Sequence, residues 1–423
     1  MSRRIVLATM GSFGDLHPYM ALALGLMARG HRPVIATVDR YREKVTAAGI
    51  EFHAVRPNTD DFGDERELLR LVMDSDKGSE YVLRELVLPR LQETYEDTLA
   101  VSESADLLVS HPLTYTVPII AEQLQKPWVG SVLQPMMFLS RFDPPILPKG
   151  QFLAPLYRRS PWLAGQLMNL ARWMTRSWHG PIDELRRKLN LPPAKSNPLF
   201  EGQFSPYGNL ALFSRLLGAP QPDWPVNTTV TGFAFYDREE HVLEMSRELG
   251  EFLKAGPPPI VFTLGTSAVM VAGSFYRESL EAAKTLQRRA VFLIGNDDRN
   301  QLGDLPKGMF ATTYAPYSEL FPHAAAIVHQ GGAGTTGQAM RAGKPMVVVP
   351  FSHDQPDHAA RLNRLGISET VDRRHYSAAR VVRALRQVLD RPGYAQRACI
   401  IGEQVRHENG VASACAALEG ILA

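Results

Sequence analysis

Cysteine is nearly missing: Cys399 and Cys415 are the two in 423 residues, both near the C-terminus and without metal-ligand spacing. That leaves no disulfide framework and fits a reducing compartment, so a cytoplasmic protein is expected. No 18 consecutive residues are apolar, which excludes a conventional spanning helix. The apolar part of the N-terminus, residues 5–8, is too short for a signal peptide. An excess of one charge is lacking too. Against 46 basic residues stand 44 acidic ones, a net +2, so no global field favours nucleic acid or another polyanion. What remains is a chain with the composition of a globular protein, long enough for two domains of about 200 residues with a core each.

The first half reads as alternating strands and helices. Residues 4–9 form a buried strand, 10–18 a loop, 19–29 a helix and 33–38 the next strand, a βαβ unit of a doubly wound α/β fold. A helix from Asp39 to Gly49 and a strand at 50–55 follow. The loop has Gly11-x-x-Gly14 and lacks the third glycine of a dinucleotide fingerprint; no acid stands alone at the second strand end unless Asp39 is so read. Asp15 has two readings, a cap for the following helix or a loop carboxylate able to accept a proton. A strand at 106–110 ends in His111, and a helix at 116–126 and a strand at 127–132 come next. His111, Tyr115 and Gln134 thus fall after strand ends on the same side as Asp15.

The second half repeats the pattern. A strand at 260–264 runs into Gly265-Thr266-Ser267, then a helix at 274–287 and strands at 290–294 and 310–313. An apolar run to Val328 ends in His329, with glycines at 331, 332 and 334, Thr335-Thr336, a helical stretch at 338–342, and a strand at 345–349 leading to a polar cluster at 352–358. Glycines let backbone N–H groups approach an anion, and the new helix directs its positive end there. His329 can add a hydrogen bond or a charge. His353, Asp354 and Gln355 leave the next strand end, where open sheets place ligands. A phosphate carrying a polyhydroxy group suits this unit, although tight helix–sheet packing also explains the glycines. The breaks at 220–225 and 256–259 split the chain into 1–225, a linker at 226–258 with a helix at 239–255, and 259–407. A helix at 377–389, a break at 391–393, a helix from there to about 407 and a last one at 411–422 close it.

Tyr314-Ala315-Pro316, His329, Gly331-Gly332-Ala333-Gly334-Thr335 and Asp354-Gln355, with Gly14-Asp15-Leu16-His17-Pro18, resemble the signature of inverting glycosyltransferases of the UDP-glycosyltransferase-like family. That family includes plant, sterol, macrolide and rhamnolipid enzymes. The segment with His353, Asp357, Arg361 and Leu362 is most similar to the rhamnolipid rhamnosyltransferase chain and related bacterial enzymes. The resemblance covers nearly the whole chain, strongest at 11–18, 230–233, 263–267 and 314–358. It implies the GT-B fold: two Rossmann-like, doubly wound parallel-sheet domains facing across a cleft. Residues 1–225 would take the acceptor, 259–407 the nucleotide sugar, and a last helix, about 408–423, would pack back on the first domain.

The resemblance also implies the chemistry. It points to a metal-independent hexosyltransferase without a cofactor, using a nucleoside-diphosphate sugar as co-substrate, dTDP-rhamnose first and UDP-glucose next. The acceptor would be a lipophilic hydroxyl compound: a hydroxyacyl lipid, flavonoid-like phenol, sterol or polyketide. Asp15 becomes the base, with His17 a second candidate. Gly14, Thr266, Ser267, His329, Gly331, Gly332, Ala333, Gly334 and Thr335 would meet the diphosphate, although Thr266 and Ser267 also read as a plain strand-to-helix turn. Tyr314 and Ala315 would meet the base, and His353, Asp354 and Gln355 the sugar. His111, Tyr115 and Gln134 would line the acceptor site; His111 also reads as an orienter of Asp15 or an ordinary loop histidine. Two positions depart from plant members: Tyr317 replaces a glutamine, and Gly337 a ribose-binding glutamate.

Three further readings complete the expectation. Asp74-Ser75-Asp76 has the spacing of a metal-binding pair but sits in a charged helical region, 57–100, and reads as a solvated face. In the proline-, tryptophan- and arginine-rich stretch 135–224, Leu163, Leu167, Leu170, Met174 and Trp178 share a helical stripe. The stripe reads as core packing, with an acceptor pocket or transient membrane-surface contact as alternatives. A monomer or weak dimer is expected. Two other classes share the fold: a nucleotide-sugar 2-epimerase, and a silent partner that binds donor without turnover.

Overall fold

Short aliphatic runs bounded by glycine and polar turns become the central parallel strands, buried on both faces as parallel sheets favour. A computed structural model describes residues 1–146, 154–237 and 245–423. Its chain divides into two units. The first comprises Met1–Leu68, Lys77–Tyr236 and Asn409–Ala423; the second comprises Leu69–Asp76 and Asp237–Glu408.

In the first unit the described strands are β1 Arg4–Ala8, β2 Arg32–Thr37, β3 Glu51–Ala54, β4 Leu107–Ser110, β5 Trp128–Val132, β6 Asn209–Ala211 and β7 Thr228–Val230. They form one parallel sheet in the order β3-β2-β1-β4-β5-β6-β7. β1 alternates between two cores. Ile5 and Leu7 join Tyr19, Leu22 and Leu26, while Val6 and Ala8 join Leu91, Tyr95 and Ile120. Each such aliphatic side chain contributes about 1.5–3 kcal/mol through burial. The chain order reverses between β1 and β4, which opens a crevice at their C-terminal ends.

In the second unit the described strands are β8 Ile260–Thr263, β9 Ala290–Leu293, β10 Met309–Thr312, β11 Ala326–His329, β12 Met346–Val348 and β13 Ser368–Thr370. Their parallel sheet has the order β10-β9-β8-β11-β12-β13. Here the reversal falls between β8 and β11, the strands that lead into Thr266 and into the glycine turn.

The last helix, Gly410–Leu422, belongs to the first unit and packs on the helix Phe13–Ala28. Gly25 makes that approach close: a Cβ there would stand 2.5 Å from Val411 Cγ1 and 3.0 Å from Cys415 Sγ. Arg29 and Glu419 pair at 2.6 Å beside it.

Several expectations change. The helix begins at Phe13, inside the stretch read as a loop, because Ser12 and Asp15 close a capping box that nucleates it ahead of Pro18. Of the stretch read as helix 239–255, Arg247–Lys254 is helical, and 239–244 lies outside the described residues. The stripe divides: Trp178 packs against the core, Leu163 and Leu167 are half-buried, and the end of the helix Pro161–Met174 is not core. Ala164 is its buried residue, and Leu170 and Met174 face solvent beside Trp162 and Trp173. Small residues face the protein instead: Arg141 Cδ lies 3.8 Å from the Cβ position of Gly165. Leu69–Asp76, flanked by first-unit sequence, belongs to the second unit, where Met73 is buried in the core. Asp74 and Asp76 are exposed there, and Asp74 Oδ1 accepts from the Asp76 N–H at 2.9 Å. Among the described residues no helix is long and apolar enough to cross a membrane.

Candidate active site

At the reversal in the first unit, β1 ends at Ala8 and the His111 N–H extends the ladder from β4 by donating to the Ala8 carbonyl at 3.1 Å. Gly11 turns the chain with φ +134°, and the Tyr41 hydroxyl donates to its carbonyl at 2.9 Å. Ser12 then caps the helix, its Oγ accepting from the Gly14 N–H at 3.2 Å. Asp15 Oδ2 accepts from the Ser12 N–H at 2.7 Å and from its hydroxyl at 3.1 Å. A Cβ on residue 11 would lie 2.3 Å from that same oxygen, so glycine there makes room for the carboxylate.

Asp15 Oδ1 meets His111 Nε2 at 3.3 Å, with the Asp15 side chain 30% exposed and His111 5%. His111 Nδ1 accepts from the Leu113 N–H at 3.2 Å, which puts the ring proton on Nε2, facing the carboxylate. Burial opposes ionisation of Asp15. The His111 and Ser12 hydrogen bonds outweigh it, and the carboxyl titrates below its usual range.

His17 stacks on Phe13 at 5.4 Å and packs against Tyr236 at 5.2 Å; burial, helped by Lys44, pulls its pKa down to about 3. Tyr115 is buried in the core with Met10 and Ile119, and Gln134 sits half-buried after β5.

In the second unit, β11 delivers His329 fully buried. Its Nδ1 accepts from the Gly331 N–H at 3.1 Å, so Nε2 carries the proton, yet among the described residues that buried nitrogen has no hydrogen-bond partner. Burial, and then the charge on His358, pulls the His329 pKa down to about 3. Gly331 has φ +91°, and a Cβ there would lie 2.9 Å from Val348 Cγ1. Gly332 is the N-cap of the helix Ala333–Ala342, which has neither a side-chain cap nor an acid in its first turn. Gly334 is exposed, with no other described part of the chain beyond its own helix within 4 Å of its Cβ position, while Thr335 is buried. Among the described residues, N–H groups without a side-chain cap and open space therefore coincide at this helix start.

Around the turn, Thr266 is exposed and Ser267 half-buried after β8. Tyr314 is 40% exposed and Ala315 buried. Tyr317 stacks on Phe321 at 4.4 Å and shares a 2.8 Å hydrogen bond with Thr263, a packing role at the position where plant members carry glutamine. After β12, His353 takes a left-handed backbone with φ +56°, a strained turn that sets Asp354 at the N-cap of the helix Gln355–Arg364. Gln355 Oε1 accepts from the N–H groups of Phe351 at 2.7 Å and Ser352 at 3.2 Å. Its amide NH₂ is the end left to offer a ligand hydroxyl.

Residues 5–137 match the glycosyltransferase family 28 N-terminal domain, and residues 277–416 match the erythromycin biosynthesis protein CIII-like C-terminal domain. The O-mycaminosyltylonolide 6-deoxyallosyltransferase of Streptomyces fradiae is 34% identical over 98% of this chain and 97% of its own. The chain belongs to the UDP-glycosyltransferase-like family of GT-B glycosyltransferases. A sterol 3-beta-glucosyltransferase of Gibberella zeae is 28% identical over 98% of this chain, which spans only 29% of that larger protein. Among solved structures, the glycotransferase of kitacinnamycin superposes with a TM-score of 0.72 over 100% of this chain and 99% of its own, at 22% identity. The spinosyn forosaminyltransferase SpnP gives 0.71 over 100% of both chains, at 18%. These two share the fold, the two parallel-sheet Rossmann-like units.

For this glycosyltransferase, reasoning from sequence missed two side chains. Gln330 lies over Gly265, its Nε2 2.3 Å from the Cβ position there and 3.4 Å from Thr335 Oγ1, and so joins the β8 turn to the glycine turn. His358 donates from Nδ1 to the Gly331 carbonyl at 2.7 Å. The signal for His358 was its spacing, four residues after Asp354 on one helix face. Gln330 carried no such signal.

Proposed function

We propose that this protein transfers a sugar, with inversion and without a metal, from a nucleoside-diphosphate sugar to a hydroxyl of a lipophilic small molecule. The observation that carries the donor half is His329 Nε2, a buried N–H without a partner among the described residues, at the strand end that opens onto an uncapped helix start. An oxygen of a diphosphate satisfies it, and the N–H groups of Ala333, Gly334 and Thr335 take up charge as the leaving group departs. Tyr314 offers an exposed ring to the base. Asp354 and Gln355 hold sugar hydroxyls.

Asp15 takes the acceptor proton as the hydroxyl oxygen attacks the anomeric carbon in line with the departing diphosphate. His111 fixes the carboxylate, and the depressed pKa keeps it ionised at neutral pH. A 6-deoxyhexose on deoxythymidine diphosphate, rhamnose first, is the favoured donor. The 6-deoxyallosyltransferase relative supports that choice, and UDP-glucose comes next. The exposed apolar helix Pro161–Met174 is where acceptor choice is assigned.

The test incubates the protein with dTDP-rhamnose or UDP-glucose and a phenolic acceptor and reads products by mass spectrometry. Transfer to the acceptor is expected. Donor isomerisation without acceptor, or binding without turnover, would sink the proposal. Asp15→Asn should lower kcat by about 100-fold or more while donor affinity changes little.

A further inference from the structure

Gly331 and Asp354, on different loops, meet at one buried imidazole. His358 is fully buried on the helix Gln355–Arg364, and its Nδ1 lies 2.7 Å from the Gly331 carbonyl and 3.2 Å from Asp354 Oδ2. Both partners are acceptors when Asp354 is ionised, so Nδ1 carries a proton whenever both contacts are kept. The Gly331 peptide is therefore held at each end: His329 takes its N–H at 3.1 Å, and His358 holds its carbonyl. Gly331 sits at φ +91°, a conformation that needs such fixing because glycine has many others open to it.

We infer that His358 is a positioning residue that locks the glycine turn and Asp354 into one geometry, so that the diphosphate and sugar ends of a donor are recognised together. This rests on the donor reading above. Free nucleoside diphosphate engages the turn alone. A sugar-bearing donor engages the turn and Asp354, and its binding draws on the link between them. A histidine that merely filled the core would affect both ligands alike.

The experiment titrates the full chain with dTDP and with dTDP-rhamnose, in parallel with UDP and UDP-glucose, by calorimetry. The variants are His358→Ala, His358→Asn, Asp354→Ala and the double variant His358→Ala with Asp354→Ala. His358→Ala should weaken the sugar donor about tenfold more than the free diphosphate, the scale of a hydrogen bond to a charged group. His358→Asn keeps an N–H donor near the Nδ1 position and should recover most of that difference, with folding checked by circular dichroism. The two alanine substitutions should be clearly non-additive for the sugar donor. Equal losses for both ligands, unchanged affinities or strict additivity would overturn the inference alone. Wild-type protein that binds no nucleoside diphosphate and no sugar donor would overturn the donor reading with it.

Discussion

Asp15 divides its carboxylate between two tasks. Oδ2 closes the helix cap through Ser12, and Oδ1 meets His111. Cap and base looked like rivals in the sequence because neither spacing nor composition shows which oxygen goes where. One side chain can hold both positions. The depressed pKa has a testable sign. Above the ordinary aspartate value of 3.8 the carboxylate stays charged, so kcat/KM should show no acid limb from this group until the pH falls below that value. His111→Phe removes the contacts that favour the charged form and leaves burial, which disfavours it. The acid limb should then move upward, as a pH–rate profile of the two proteins will show. An unmoved limb would mean that His111 does not control Asp15.

Among the elements, strands with four or more consecutive apolar residues were readable, since little else suits a buried run of that length beside a glycine turn. β6 and β13 have three residues each and gave too short a pattern. The helix Pro161–Met174 misled for a different reason. Periodicity locates a stripe but not what faces it, and here Ala164 and Gly165 face the protein while Trp162, Leu170, Trp173 and Met174 look outward. Small residues likewise govern the pairing of Phe13–Ala28 with Gly410–Leu422. Gly25→Val would drive methyl groups into Val411 and Cys415, and it should cost about 1–3 kcal/mol in urea unfolding. Val411→Ala in the same chain should restore part of the loss.

At the scale of the molecule, each unit holds a histidine buried against its preferred charge: His17 in the first and His329 in the second, both with folded values near 3 against an ordinary 6.5. A depressed folded pKa gives stability that is complete above 6.5 and is lost as the pH falls toward 3. The melting midpoint should therefore drop between pH 7.5 and 4.5, with His329 accounting for about 2–3 kcal/mol at the lower value. Calorimetry on wild type and on His17→Phe will read it, the substitution removing the first unit's share. Two parallel-sheet units were legible because the strand–turn–helix pattern restarts after the prolines at 257–259. The excursion of Leu69–Asp76 into the second unit was not, since a lone Met73 in a charged stretch carries no sign of its destination.

That excursion bears on how such enzymes are recombined. A chimera joined between Tyr236 and Asp237 follows the main crossing of the chain, yet it brings a foreign residue 73 into a socket made by the other parent. In this protein the socket includes Ser352, whose hydroxyl meets Met73 Sδ at 3.5 Å, and Arg373, which holds the Met73 carbonyl at 3.4 Å. Ser352 lies next to His353 and Asp354, so a poor fit at a position far upstream in the gene would be felt beside the proposed sugar site. Parents for domain exchange should be matched at residues 69–76 as well as at the junction.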